Sequence, residues 1–286
     1  MARHRVALAL LRALPKHAVS RGAGWLASRR LPGALRVPLV RAFGRSVGVD
    51  FSEVRDPLDT FPSLQAFFTR ALRAGVRPID TAPDAFVSPC DGAWGAAGVV
   101  EQGQLLQVKG RQYSLAALLA DADAARRVAG GAFATLYLSP RDYHRFHAPC
   151  AARVVRAAAL PGALWPVNRI GVEGVDGLFA VNERVCAFLA VADPREDLCL
   201  VAVGATNVGK IRVTFDDLTT NIAGAVPTTR TYRDVALAKG DEWGRFEFGS
   251  TIVIVAAPAL LRLDVQPPGT PVRLGQRIGT LVKAES

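Results

Sequence analysis

Apolar residues along the chain follow two different periods, and the change falls near residue 76. Before it, Leu35, Leu39 and Phe43 recur at the spacing of one helix face, with Arg36, Arg41 and Arg45 turned toward other faces. Pro15, Gly22, Gly24, Pro32 and Gly33 break the first 45 residues into short helices. A further helix is expected behind Ser63 as its cap, with Leu64, Phe67, Phe68 and Leu72 on one face. Beyond residue 76 the apolar runs shorten to strand length and are bounded by glycine, at 86–92, 133–138, 154–160, 178–181, 185–191, 198–203, 211–215, 251–256 and 272–281. One interruption, 114–128, carries Leu115, Leu118 and Leu119 behind Ser114 and reads as a capped helix. The pattern predicts an α+β protein, a helical amino-terminal region followed by a β-rich core.

Charge sharpens this division. Half of the 286 residues are hydrophobic, enough for a folded core, and the net charge is +10. Residues 1–50 carry ten Lys and Arg against one acid, so this arm holds +9 of that total and the rest is nearly neutral. Charge confined to an arm implies that the arm meets something anionic; charge alone leaves lipid and nucleic acid both open. Trp25 and Leu26 sit between Arg21 and the Arg29-Arg30 pair, a mixture suited to the bilayer interface, where each basic group adds about 1 kcal/mol. The competing reading is a helical hairpin packed on the core with its arginines in water. No apolar run reaches the roughly 18 residues of a membrane span. The run at 6–11 is cut by Arg12 and lacks a cleavage signal, so the arm is read as retained. Cys90, Cys150, Cys186 and Cys199 show neither C-x-x-C pairing nor zinc-type spacing and are expected as reduced, mostly buried thiols.

Three places carry candidate chemistry. In Gly244-Arg-Phe-Glu-Phe-Gly-Ser-Thr251 a hydroxyl stands behind a glycine at the mouth of an apolar strand. The Ser250 oxygen has a route to the Gly249 carbonyl, which no side chain shields, so Gly249–Ser250 is the bond at risk. The bland reading is a turn entering a strand. His144 and His147 lie in Ser139-Pro-Arg-Asp-Tyr-His-Arg-Phe-His147; a short helix capped by Ser139 and ending near Ala148 would place both imidazoles on one face. They are either hydrogen-bonded structural residues or a general base and acid, and no third ligand marks a metal site. Asp91, in Pro89-Cys-Asp-Gly92, is a turn residue or the carboxylate that orients an imidazole. Asp91, His147 and Ser250 are candidates for one nucleophile, base and orienter set.

Taken together, Val76-Arg-Pro-Ile-Asp80, Ser88-Pro-Cys-Asp-Gly92, Tyr137-Leu-Ser-Pro-Arg-Asp-Tyr-His-Arg-Phe-His147, Asn182-Glu-Arg-Val185, Val203-Gly-Ala-Thr-Asn-Val-Gly209 and the segment ending in Ser250 and Thr251 resemble the bacterial phosphatidylserine decarboxylases over nearly the whole length. Phe248 departs from the family's usual Leu but keeps the position apolar.

The resemblance implies self-cleavage by serinolysis at Gly249–Ser250, with Asp91 and His147 supporting Ser250, His144 facing the substrate during decarboxylation, and Asn168 helping to bind it. It implies a pyruvoyl group made from Ser250 with no external cofactor, and chains 1–249 and 250–286 that stay together as a heterodimer, itself in a homodimer. Residues 1–75 become a membrane-contact region and 76–286 the catalytic core, peripheral on the cytoplasmic face of the cell membrane. The substrate implied is phosphatidylserine in an anionic membrane, with no nucleic-acid partner. Gly269-Thr-Pro-Val-Arg-Leu-Gly-Gln-Arg-Ile-Gly279 also resembles the turn-and-strand unit of barrel-sandwich-hybrid folds.

Three alternatives make different predictions. A pyruvoyl decarboxylase of a soluble amino acid would cut itself but needs no basic, apolar arm. A hydrolase using Asp91, His147 and Ser250 stays uncut, and the chain has no G-x-S-x-G elbow. A non-catalytic barrel-sandwich binding module stays uncut as well.

Overall fold

The computed structural model describes residues 16–108, 110–191, 196–206, 210–247 and 250–282, with Lys16, His17 and Ser250 described in backbone only. The apolar run at 6–11, residues 207–209 of the Val203 motif, and Phe248 and Gly249 lie outside the described residues.

Two longer helices open the described chain, α1 (Lys16–Ser28) and α2 (Gly33–Val47). Gly22 and Gly24 sit inside α1 and Pro38 inside α2, so the amino-terminal pieces are fewer and longer than the breaks predict. A glycine costs a helix only about 1 kcal/mol, which tertiary packing overrides. Gly48, at φ 83, closes α2 by donating its N–H to the Arg45 and Gly44 carbonyls. The third helix, α3 (Leu64–Phe68), starts where Ser63 Oγ accepts the Ala66 N–H at 3.1 Å, and stops before Leu72. Val40, Val49, Val54, Phe61 and Phe67 form a core of their own in this region, with Phe43 and Phe51 against it.

The β-rich part follows. Its strands are β1 (Ala85–Val87), β2 (Gly92–Val99), β3 (Gln104–Val108), β4 (Arg111–Ser114), β5 (Ala132–Leu138), β6 (Arg145–His147), β7 (Ala152–Leu160) and β8 (Arg184–Ala190). Then come β9 (Leu198–Val203), β10 (Ile211–Val213), β11 (Thr228–Leu237), β12 (Glu242–Phe246), β13 (Ser250–Ala256), β14 (Leu261–Leu263), β15 (Pro271–Val272) and β16 (Arg277–Leu281). An antiparallel eight-stranded sheet runs β11-β7-β8-β9-β13-β5-β2-β15; smaller sheets are β1-β16-β14, β10-β12-β6 and β3-β4. In β13, Ile252 and Ile254 enter one core, while Val253 and Val255 enter the other on the opposite face. A strand buried on both faces reads as a continuous apolar run, which is why 251–256 was legible.

Several expectations need correction. Residues 114–128 form two helices, α4 (Leu115–Leu119) and α5 (Ala122–Val128), because Ala120 turns left-handed and Asp121 recaps the chain by accepting the Ala124 N–H at 2.9 Å. Residues 178–181, read as a strand, are helix α7 (Leu178–Val181), which follows α6 (Arg169–Gly174). The 272–281 run is split by a turn between β15 and β16. All four cysteines are buried and unbridged. No described helix is long and apolar enough to cross a membrane.

Candidate active site

The segment between β5 and β6 was expected to be helical and is not. The Asp142 carboxylate accepts from Ser139 N–H and Oγ, both at 2.7 Å, and the Asp142 N–H reaches the Ser139 carbonyl at 2.9 Å, closing a turn. The chain then joins β12 as β6, with Arg145 opposite Arg245, Phe146 opposite Gly244 and His147 opposite Glu242. Sheet pairing over these residues outcompetes one isolated helical turn, and the two imidazoles go to different surroundings.

His144 is fully buried, its ring 4.0 Å from that of Phe68. Nδ1 lies 2.9 Å from the Asp142 carbonyl, which only accepts, so Nδ1 carries the proton and Nε2 presents a lone pair. That Nε2 has no hydrogen-bond partner among the described residues. Burial pushes the His144 pKa down to about 3, so the ring is neutral at neutral pH.

His147 is arranged the same way by different groups. Its Nδ1 donates to the Gly240 carbonyl at 2.8 Å, and its Nε2 meets the Tyr143 hydroxyl at 3.3 Å. Gly240 stands at φ 88 in the turn between β11 and β12, a conformation that favours glycine. Burial lowers the His147 pKa, opposed by the Gly240 hydrogen bond and the charges of Glu242 and Asp91.

Asp91 does not orient His147 by a hydrogen bond. Its carboxylate is gripped by Arg77, with Nε at 2.8 and 3.0 Å from the two oxygens and Nη2 at 2.6 Å, and it accepts the Leu274 N–H at 2.9 Å. Arg77 also spans to Glu53 at 2.9 and 2.7 Å, making a carboxylate-guanidinium-carboxylate triplet. Burial pulls the Arg77 pKa down, but the bonds to Asp91 and Glu53 outweigh it and hold the guanidinium above its ordinary value. The expected orientation of His147 by Asp91 is thus replaced by the Gly240 carbonyl, with Asp91 acting through its charge.

Ser250 is the first residue of β13, opposite Leu138 of β5. Three residues before the described chain stops, Gly244 packs so closely that a Cβ there would lie 2.2 Å from the Phe146 ring. Phe246, at the end of β12, donates its N–H to the His144 carbonyl at 2.9 Å. The described chain therefore leaves β12 beside His144 and resumes beside Leu138. Thr251, next in line, is buried with its Oγ1 unpartnered among the described residues.

An apolar cleft of about 470 Å³ adjoins Leu138, lined by Leu138, Val167 and Asn168 from the core and by Leu26, Phe43 and Phe68 from α1, α2 and α3. Asn168 caps α6, its Oδ1 accepting the Ile170 N–H at 3.1 Å, which leaves its amide NH₂ as the group it offers the cleft. The sequence reading missed the roles of Arg77 and Tyr143, although both stood inside the motifs it used. Glu53 and Gly240 carried no local signal, since their roles depend on partners 38 and 93 residues away, Asp91 through Arg77 and His147 directly.

Comparison with known proteins agrees in extent with this arrangement. The family model described as phosphatidylserine decarboxylase matches residues 64–280. A phosphatidylserine decarboxylase proenzyme of Anaeromyxobacter sp. (strain K) is 44% identical over 279 residues, covering 96% of this chain and 98% of the relative. One of Myxococcus xanthus (strain DK1622) is 38% identical, covering 95% and 97%, and one of Acidovorax ebreus (strain TPSY) is 44% identical, covering 92% and 93%. With a match across both the helical region and the strands that frame Ser250, the chain belongs to the phosphatidylserine decarboxylase family.

Proposed function

We propose that this chain decarboxylates phosphatidylserine to phosphatidylethanolamine, using a pyruvoyl group that it makes by cutting itself between Gly249 and Ser250. The observation that carries the reading is that the Ser250 backbone pairs with Leu138, a buried neutral His144 packs on Phe68, and Leu138 and Phe68 both line the apolar cleft.

In the maturation step the Ser250 Oγ attacks the Gly249 carbonyl while His147 Nε2 takes the hydroxyl proton. The C–N bond breaks, the nitrogen takes that proton back, and the peptide becomes an ester. Loss of the Ser250 α-proton then expels the Gly249 carboxylate, leaving dehydroalanine, which tautomerises and takes up water to release ammonia. His147 is suited to the first transfer: Gly240 fixes its tautomer, so the base is Nε2, and the nearby Asp91 charge favours the imidazolium that forms.

The surroundings fit a small carbonyl group at position 250. A buried polar atom without a partner is costly, and His144 Nε2 is such an atom among the described residues, on the segment that pairs with the end of β12 just before this cut. The pyruvoyl group, once present, supplies an electrophile for the substrate amine and a sink for the electrons left as carbon dioxide departs. His144 Nε2 is the group that moves a proton at the substrate carbon; Asn168 offers its amide to the headgroup, and the apolar cleft takes the acyl part nearest it. Residues 1–75 act as the membrane-contact region, holding the 76–286 core peripherally on the cytoplasmic face.

Intact-mass measurement under denaturing conditions tests the reading. Two fragments, 1–249 and a 250–286 piece that reacts with carbonyl reagents, are expected, and Ser250→Ala should remove both scission and carbon dioxide release. A single full-length species inert to carbonyl reagents overturns it. Activity on free serine equal to that on phosphatidylserine vesicles would shift the substrate to a soluble amino acid.

A further inference from the structure

A second cavity, of about 600 Å³, lies on the other side of α3 from the apolar cleft. Leu64 and Phe68 face the cleft, while Gln65, Ala66 and Thr69 line this second space. Its walls include Arg21 from α1, Lys210, Arg212 from β10 and Arg245 from β12, against a single carboxylate, Glu247. Glu247 is already engaged, accepting from Arg212 Nε at 2.6 Å and from Gln65 Nε2 at 2.5 Å. Arg21, Lys210 and Arg245 make no ion pair among the described residues.

The strand register makes this charge unusual. Arg212 stands directly opposite Arg245, and Arg245 directly opposite Arg145, so three guanidinium-bearing residues form one row across the β10-β12-β6 sheet. Like charges directly opposite on neighbouring strands destabilise a sheet. The outer two are offset, Arg145 by Glu242 at 3.0 Å and Arg212 by Glu247. The central Arg245 has no such carboxylate among the described residues, and it is half-buried, as is Lys210. A row of like charges with its central member unpaired is a place where an anion would be stabilising.

We propose that this cavity is a binding site for the phosphate group of an anionic phospholipid, separate from the cleft assigned to the reacting lipid. Arginine favours phosphate because its planar fork matches two oxygens at once. The space is roomier than a bare phosphate ion needs. Trp25 lines the same cavity while remaining 58% exposed, so an apolar ring stands at the anion site where a headgroup continues into a membrane. The site would tie α1 to the β10-β12-β6 sheet through the lipid and so set the height of the cleft above the bilayer.

The test uses the full Ser250→Ala chain, whose uncut, inactive state separates binding from turnover. Flotation is measured with phosphatidylcholine vesicles containing phosphatidylglycerol, which has no amine to react with a carbonyl. Arg245→Gln and, independently, Lys210→Gln should each weaken binding about tenfold. Arg262→Gln, an equal change of charge at an exposed side chain of β14, should leave it within about twofold. Inorganic phosphate is titrated in parallel by thermal shift: stabilisation that Arg245→Gln abolishes, with vesicle binding unchanged, would keep the phosphate chemistry but assign it to a free ion and sink the lipid. Equal vesicle binding by all three variants with no phosphate-dependent shift overturns the site altogether. Cutting of the same variants carrying Ser250 reports separately on the maturation reading.

Discussion

Two histidines three positions apart acquire related electronic states from unrelated neighbours. A backbone carbonyl fixes the proton on Nδ1 of each, Asp142 for His144 and Gly240 for His147, so each presents Nε2 as the basic atom. His144 has a consequence for stability. Its pKa is about 3 in the fold against an ordinary 6.5, so between those values the unfolded chain binds a proton that the native chain refuses. Its stabilising contribution is complete above pH 6.5 and falls away as pH drops toward 3. Denaturant unfolding of the Ser250→Ala chain from pH 7 to 4 should show this decline, and His144→Gln should flatten it; an unchanged slope would contradict the burial argument. Arg77 offers a second check. Removing it strands Asp91, 5% exposed, beside Glu53, and breaking such a buried pair costs about 3 kcal/mol. Arg77→Gln should therefore lower unfolding free energy by about that amount, and adding Asp91→Asn should recover part of it, which a double-mutant cycle measures.

Elements that bury both faces were readable in advance, and elements defined by distant partners were not. Residues 198–203 and 251–256 announced themselves as apolar runs and became β9 and β13 in the middle of the large sheet. β11 escaped notice because Thr228 to Arg233 are mostly polar and exposed on a sheet edge, so no period marks them. The Ser139 segment misled because its cap-like start is equally a turn, and only pairing with β12, almost a hundred residues later, decides between them. For the same reason Ser250, Asp91 and His147 could be nominated by motif, while the Gly240 carbonyl and the Arg77 triplet could not. Glycine substitutions separate local from tertiary control. Gly22 in α1 has nothing within 4 Å of an added Cβ, so Gly22→Ala should raise stability by about 0.5–1 kcal/mol through helix propensity alone. In β12, Gly244→Ala would set a Cβ 2.2 Å from the Phe146 ring and 2.5 Å from the Arg212 carbonyl. Thermal melting should show that variant destabilised by about 3 kcal/mol, with slower self-cutting because the β6–β12 pairing holds both histidine segments.

For the molecule as a whole, the proposed cut falls at an unusual place, immediately before a central strand. β13 lies between β9 and β5, paired with each over six residues, and the same carboxyl-terminal piece supplies β15 to β2 and β16 to β1. A 37-residue piece with Ile252, Val253, Ile254 and Val255 all fully buried cannot leave without opening both cores. The break therefore changes connectivity with little change in packing, and the two chains should elute together in native buffer and separate only in denaturant. Refolding should differ sharply between the two forms. The uncut Ser250→Ala chain brings β13 to its slot by an intramolecular search, whose entropy grows only slowly with loop length. The separated pieces must meet as two solutes, and the long piece must wait with an empty central position and two unpaired strand edges, a state prone to aggregate. Dilution from denaturant should thus recover most of the uncut chain's native fluorescence, and a yield from the cut form that falls at higher protein concentration. Equal recovery from both would show that β13 is dispensable to the sheet, and with it the reason for placing the reactive residue at the start of that strand.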